Sequence, residues 1–164
     1  MRMLRRLSAL ALLLLAAACE DTPTIPEEGR MVARLNGRDW NGDAAVVFAR
    51  DTVVLRTREP MTIDWASSFS SDSRSWRALA LYVVASGPGT YQVVPQKSEY
   101  VEIIGGDQIA YRAPVTVGTV RFTVLSRGGT SAAGLVDDVR IEGQRGTWTF
   151  DRGGFTGPAV ALEF

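Results

Sequence analysis

The sequence predicts an all-β fold, either an antiparallel β-sandwich or a flattened barrel of about nine or ten strands. Two observations predict it. Apolar and polar residues alternate with a period of two in several short segments, which is the pattern of half-buried strands. Glycine-rich turn pairs separate these segments at hairpin spacing, and no helical period follows the N-terminal region.

The first 18 residues have the layout of a secretory signal peptide. Three arginines precede an uncharged apolar run over 7–18. The run is about a dozen residues long, whereas a transmembrane helix needs roughly twenty. Three alanines then lead directly into Cys19, the single cysteine of the chain. The segment 1–18 is therefore predicted to be removed.

Cys19 is predicted to carry lipid. Small residues followed by a cysteine resemble the lipobox of bacterial lipoproteins, although Ala16 stands where leucine is usual. A single cysteine cannot form an internal disulfide, and an exposed free thiol is a liability in a secreted chain. Acylation gives this cysteine a use, with the membrane as partner. The alternative is a plain cleavable signal that leaves an unpaired cysteine.

Two further units are predicted after the signal. Residues 19–29 are acidic and proline-containing, which predicts a flexible linker behind the lipid. Residues 30–164 form a single domain. Without residues 1–18 the chain keeps 15 of its 18 basic residues against 18 acidic ones, a formal charge of −3. This balance predicts no nucleic-acid partner.

The first part of the domain is predicted to contain strands around 53–56 and over 61–65. The run 78–84 is apolar on both faces, which predicts a central strand covered on two sides. Between them, the serine-rich residues 66–75 predict a loop. It is either a plain connection or a binding loop with Phe69 at its tip.

The second part of the domain repeats the alternating pattern. Strands are predicted over 119–124, 138–142, 147–151 and 160–164. Turn signals lie between the runs, and the Asn36–Gly37 pair is typical of a two-residue hairpin turn.

The chain lacks the residues that most catalytic mechanisms need. The chain has no histidine, and its only cysteine is assigned to the lipid, which removes Ser/His and Cys/His nucleophile pairs and the common zinc ligands. Ser131 in "GTSAAG" resembles a nucleophile elbow, but Ala133 replaces the second glycine and no helix is predicted after it. The sequence predicts no cofactor and no catalytic residue.

Oxygen ligands are the remaining route to a metal. Asp39, Asn41 and Asp43 alternate like the opening of a calcium loop. Ala44 then stands where that loop needs glycine, and Arg50 where it needs glutamate. The sequence therefore predicts no metal, with these three residues as the only weak candidates.

Aromatic residues are better candidates for binding. Trp40, Trp76, Tyr100 and Tyr111 are possible platforms for stacking sugar rings. The competing interpretation is that aromatic side chains fill the core, and it is favoured for Trp148, which is in phase with apolar neighbours.

Carboxylates leave a weaker enzymatic alternative. Asp64, Glu99, Glu102 and Asp107 are candidates for the paired acids of a glycoside hydrolase. Nothing in the sequence brings two of them together, so a non-enzyme is predicted.

Four segments appear in an order that resembles a group of small bacterial lipoproteins of unknown function: "ARLNGRDW" at 33–40, "GPGTYQV" at 87–93, "TVGTVRFTVL" at 116–125 and "RIEGQRGTWTF" at 140–150. The resemblance implies an all-β fold and a cell-envelope location, and it brings no catalytic residues. This chain departs from the pattern by the insertion at 144–146 and by Trp148 in place of phenylalanine.

The sequence thus predicts a lipoprotein attached to the inner or outer membrane, with its domain in the periplasm or on the cell surface. The domain is expected to be a non-catalytic binding or structural module, with an envelope protein or a glycan as partner. Carbohydrate binding is the alternative, and a carboxylate-based hydrolase is a third possibility.

Overall fold

The computed structural model describes residues 25–61, 75–105 and 108–161. These residues form ten strands and no helix. The strands are β1 (Arg30–Leu35), β2 (Arg38–Ala49), β3 (Thr52–Pro60), β4 (Trp76–Val83), β5 (Gly89–Gln92), β6 (Glu99–Ile104), β7 (Gln108–Val124), β8 (Ser131–Gly143), β9 (Gly146–Phe150) and β10 (Gly153–Ala161). The predicted all-β class is confirmed.

The ten strands belong to one sheet that closes on itself. Seven of them form the ring β2-β3-β4-β6-β7-β8-β10, and β10 returns to pair with β2. That closing pair is parallel, and every other pairing is antiparallel, so the sheet is mixed. β1 bridges β2, β9 and β10, and β5 adds to β7. The result is an uneven ring, consistent with a sandwich or flattened barrel.

One core fills the ring. Inward residues alternate with exposed ones along most strands, and the largest fully buried side chains come from six different strands: Trp40, Tyr100, Phe122, Phe150, Phe155 and Met31. A side chain of this size gains about 2 to 3 kcal/mol when it leaves water. Burial of this inner face therefore supplies the main driving force for closure.

Three details of the predicted strands are corrected. In the predicted run 78–84, Leu79, Leu81 and Val83 are buried. The other face of the strand is half-buried and Val84 is 61% exposed, because only the inside of the ring has a core. In β7, Phe122 is buried while Val124 is 49% exposed, because an irregularity in register after Phe122 turns Leu125 inward instead. Val160 in β10 faces out and is 47% exposed.

Several sequence features lie outside the described residues. They are the signal 1–18, Cys19, most of the predicted strand 61–65, the loop 66–74 with Phe69, and residues 162–164. The last residues of the predicted linker are described, and they touch the domain. The carbonyl of Gly29 accepts a hydrogen bond from the Ala44 amide at 2.7 Å, and the carbonyl of Pro26 accepts one from Thr156 Oγ1 at 3.2 Å.

One end of the ring collects the turns that frame the candidate site. The β1–β2 turn has φ of 49° at Asn36 and 75° at Gly37, the conformation expected for an Asn-Gly hairpin. The end of β6 at Ile104, the start of β7 at Gln108 and the β8–β9 turn lie at the same end, because Ile104 pairs with Gln108 and Gly143 pairs with Gly146. The two ends of the β3–β4 connection meet there, because the Met61 amide donates a hydrogen bond to the Ser75 carbonyl at 2.9 Å.

Candidate functional site

An open cleft of about 900 Å³ lies at this end of the ring. Its lining includes side chains from β3, β4, β6 and the β8–β9 hairpin. Those with polar or aromatic chemistry on the cleft floor are Glu59, Arg77, Tyr100, Glu102, Arg145 and Trp148.

A row of charges crosses the inner face of the sheet just below the cleft. Glu59 pairs in register with Arg77 on β4, and Arg77 pairs with Glu102 on β6. The next inward layer is Thr57, Leu79 and Tyr100, all buried. The charged row is therefore the last layer inside the ring before solvent, where the surrounding core keeps water scarce.

The first ion pair in this row is enclosed. Arg77 Nε donates to Glu59 Oε2 at 2.6 Å, and the two side chains are only 19% and 13% exposed. The guanidinium carbon of Arg77 lies 4.9 Å from the centre of the Trp40 ring, within cation–π range. Glu59 Oε1 also accepts the Asn41 amide at 2.8 Å. Every polar partner of this pair comes from a strand, so its geometry is fixed by the sheet.

The second ion pair involves a turn. Arg145 Nη1 donates to Glu102 Oε2 at 2.7 Å, with exposures of 50% for Arg145 and 13% for Glu102. Its guanidinium carbon lies 4.3 Å from the centre of the Tyr111 ring. Arg145 belongs to the two-residue connection between Gly143 and Gly146, which are register partners at the end of the hairpin. This arginine is therefore held by its side-chain contacts rather than by a strand.

Tyr100 orients the carboxylate of Glu102. Its hydroxyl donates to Glu102 Oε1 at 2.9 Å. Burial of the ring, and then the negative charge and hydrogen bond of Glu102, raise the pKa of Tyr100 above its ordinary value. The hydroxyl therefore stays protonated and remains a donor at all physiological pH values.

Three aromatic rings pack together beside this second pair. Trp148 lies 5.2 Å from Tyr100 and 5.3 Å from Tyr111, centre to centre. Gly143 makes room for them, because a Cβ there would come within 2.2 Å of the Tyr111 hydroxyl. Among the described residues this hydroxyl has no hydrogen-bond partner.

The aromatic candidates from the sequence are mostly buried. Trp40 and Tyr100 are at most 1% exposed and Tyr111 is 9% exposed, because core neighbours enclose the rings and the guanidinium groups of Arg77 and Arg145 lie against Trp40 and Tyr111. Trp40 Nε1 donates to Thr57 at 3.0 Å. Trp76 is half-buried beneath Arg58, 5.5 Å from ring centre to guanidinium, and does not line the cleft. Of the four candidates only Tyr100 lines the cleft, and Trp148 is the other aromatic residue in the lining.

The metal candidates do not converge. Asp39, Asn41 and Asp43 alternate along strand β2 and project from its exposed face. Asp39 pairs with Arg34 at 3.6 Å, and Asn41 accepts a hydrogen bond from Arg30. A strand sets such side chains in a line, whereas a calcium loop curls them round one centre. Within the described ranges, no three His, Cys, Asp or Glu residues are grouped for a metal ion.

The candidate carboxylates separate into different places. Glu102 lies in the cleft, whereas Glu99 pairs with Arg112 at 3.1 Å outside it. Asp64 and Asp107 fall outside the described residues.

Sequence reasoning missed three residues of the site. Glu59 lies between the strands predicted around 53–56 and over 61–65, and Arg77 lies just before the predicted strand 78–84. Arg145 had one signal, its place in the 144–146 insertion.

Comparison with known proteins yields no match to any family model, curated protein or solved structure. Within the part of the chain that the structure describes, no helix is long and apolar enough to cross a membrane.

Proposed function

We propose that this protein is a bacterial cell-envelope lipoprotein whose domain binds a ligand in the charged cleft and catalyses no reaction. Lipid on Cys19 would hold it to the membrane. One observation carries the binding part of the proposal. Arg77, Glu102 and Arg145, from three separate parts of the chain, converge with Trp148 on one cleft.

The size and make-up of the cleft support a ligand rather than a purely structural role. Ligand sites typically enclose about 300 to 1,000 Å³ and combine apolar walls with a few converging polar groups. The cleft has about 900 Å³, aromatic and aliphatic walls, and charges placed directly on the core. Charged side chains in that position lose hydration, which costs free energy. If this end of the core served only stability, apolar residues would close it at a lower cost.

The anchoring part is tested at Cys19. Cells expressing the full chain are labelled with radioactive palmitate, and we expect labelled protein in the membrane fraction. Cys19→Ser should lose both the label and the membrane association, while Thr22→Ser in the adjacent linker should keep them. Label that persists in Cys19→Ser would contradict lipidation.

The binding part is tested at Trp148. The four tryptophan indole N–H signals of the isotope-labelled full chain are followed during titration with a low-molecular-weight envelope extract. We expect the signal that disappears in Trp148→Phe to shift. The Trp40 indole, which is buried and bonded to Thr57, is the internal control and should stay in place. An extract that moves neither signal would contradict a ligand in this cleft.

Glycan binding is the second candidate. Trp148 favours it, because this ring reaches the cleft wall beside hydrogen-bonding carboxylate and guanidinium groups, the combination that recognises a sugar. Chitotriose and cellotriose replace the extract in the same titration. A shift of the Trp148 signal at millimolar sugar would support this candidate, and no shift would remove it.

A hydrolase is less well supported. Glu59 and Glu102 lie on the two strands flanking β4, so their Cα atoms are about 10 Å apart. Paired acids are recognised by the separation of their carboxyl groups rather than of their Cα atoms, and both of these carboxylates accept hydrogen bonds from arginines. Release of nitrophenol from nitrophenyl glycosides that is lost in Glu102→Gln would overturn the non-catalytic proposal.

A further inference from the structure

The strongest feature beyond the cleft itself is the environment of the Arg145 guanidinium. Its carbon lies 4.3 Å from the centre of the Tyr111 ring, and its Nη1 donates to Glu102 Oε2 at 2.7 Å. The Tyr100 hydroxyl holds the other oxygen of Glu102, and Trp148 packs against both tyrosines. A carboxylate beside a group of aromatic rings is the chemistry that recognises an organic cation.

We infer that this place is a guanidinium-binding subsite, which Arg145 fills in the absence of ligand and a guanidinium group of the ligand fills in its presence. The inference rests on the proposed function, because it names the chemistry of one part of the ligand in the same cleft.

Charge balance supports a cationic occupant. The cleft lining has three arginines, at 38, 77 and 145, and three acids, at 39, 59 and 102. Arg77 and Glu59 neutralise each other within the sheet. When Arg145 swings away, the Glu102 carboxylate, which is only 13% exposed, loses the one ion-pair partner it has among the described residues. A cation from the ligand restores the balance.

The exposure and sparse contacts of Arg145 support an exchangeable occupant. The Arg145 side chain is half-exposed, and the turn that carries it has two residues between Gly143 and Gly146. Among the described residues, its one side-chain hydrogen-bond partner is Glu102, so a rotation of this one side chain uncovers the Tyr111 face and the carboxylate. No strand pairing has to break.

Geometry favours a planar guanidinium over other cations. A guanidinium can lie against the Tyr111 ring and donate an N–H to Glu102 at the same time, as Arg145 does. A quaternary ammonium such as choline can lie on the ring but has no N–H to donate. We therefore expect agmatine to bind more tightly than choline.

The experiment removes the Arg145 side chain, which competes with the ligand for the subsite. Full-length protein in nonionic detergent is titrated with agmatine by calorimetry, for the native chain and for Arg145→Ala. We expect Arg145→Ala to bind agmatine roughly tenfold more tightly, which corresponds to about 1.4 kcal/mol. That is the combined size of a half-exposed ion pair and a cation–π contact.

Two variants control for charge and for site. Arg140→Ala removes the same charge from an exposed position of β8 and should bind agmatine like the native chain. Glu102→Gln added to Arg145→Ala should abolish the gain. Equal affinity in the native chain and Arg145→Ala, a gain in Arg140→Ala, or a gain that survives Glu102→Gln would each overturn the inference. So would an absence of binding at millimolar agmatine.

Further probes identify the source of the guanidinium. They also distinguish a failure of this inference from a failure of the proposed function. An acetyl-Gly-Arg-Gly-amide peptide that binds Arg145→Ala more tightly than agmatine indicates an arginine side chain of a polypeptide, and the reverse order indicates a small molecule. Choline that binds as tightly as agmatine would contradict the guanidinium. If agmatine fails while the envelope extract still moves the Trp148 signal, the cleft binds another ligand class and only this inference is wrong.

Discussion

The cleft contains the same arrangement twice, with different support. In each case a glutamate binds an arginine whose guanidinium lies on an aromatic ring. The inner pair, Glu59–Arg77, joins neighbouring strands and is 13% and 19% exposed. The outer pair, Glu102–Arg145, joins a strand to a turn, and its arginine is 50% exposed. The chemistry is alike, and the attachment of the arginine to the fold differs.

This difference separates structural from functional use of one motif. An enclosed ion pair is costly to break, because the charge left behind has lost its hydration and gains no new partner. A half-exposed arginine regains water as it leaves, so its pair contributes little to stability. The inner pair should therefore hold the site together, and the outer pair is free to respond to a ligand.

The largest effect is expected from Arg77→Met. It keeps an apolar stem beside Trp40 and leaves the Glu59 carboxylate, among the described residues, with the Asn41 amide as its one remaining partner. We expect the free energy of unfolding in urea to fall by about 3 kcal/mol. Adding Glu59→Gln should recover part of the loss, since no unpaired charge then remains. A loss as small as that of Arg145→Ala would remove the distinction between the pairs.

The next effect is expected beneath the outer pair, at Gly143→Ala. The new methyl would meet the Tyr111 hydroxyl at 2.2 Å and the Ala113 side chain at 2.8 Å. Overpacking of this kind lowers the free energy of unfolding by about 2 kcal/mol. Tyr111→Phe in the same chain removes the closest atom and should restore part of it. Gly87→Ala, with nothing within 4 Å, is the control and should change stability little.

A smaller effect is expected from Tyr100→Phe, which removes the donor to Glu102. We expect a loss of about 1.5 kcal/mol near neutral pH. Because the pKa of Tyr100 is raised in the folded state, its contribution is full below the ordinary value of 10.0 and declines as pH rises beyond it. Urea unfolding between pH 8 and 11 should therefore show a steeper decline in the native chain than in Tyr100→Phe. Parallel declines would contradict the raised pKa.

The smallest effect is expected from Arg145→Ala. The side chain is half-exposed, so losing its ion pair and its cation–π contact should lower the free energy of unfolding by only about 1.4 kcal/mol, the same amount by which agmatine binding should improve. The loss should shrink further in 1 M salt, where surface charges are screened. A loss near 3 kcal/mol would mean that the outer arginine is as structural as Arg77.

The strands could be predicted from the sequence where apolar and polar residues alternate without interruption. Val139 and Ile141 are buried between exposed neighbours, and Phe150 is buried in β9, as the alternation predicts. The prediction was wrong where a register irregularity shifts the phase, as at Val124, because irregular pairing depends on the partner strand.

The site could not be predicted in the same way. The register of β3, β4 and β6 is what makes neighbours of Glu59, Arg77 and Glu102. This register cannot be predicted from the local sequence pattern. Charged residues near strand ends are usually exposed, so nothing marked Arg77 as an inward side chain. Of the predicted binding residues, Tyr100 does line the cleft, because an aromatic residue in phase with a core can still present its hydroxyl at the edge.

The parallel pairing of β10 with β2 also has a kinetic consequence. Ala159 lies beside Val46, so the contact that closes the ring joins one of the earliest strands to the latest one. During synthesis β2 can pair with β1 and β3 long before β10 exists, and the gap between β2 and β8 stays open until then. Closure through so distant a contact is entropically slow. The nascent domain therefore passes through an open sheet with exposed edges, and its escape from aggregation depends on how quickly the last strand arrives.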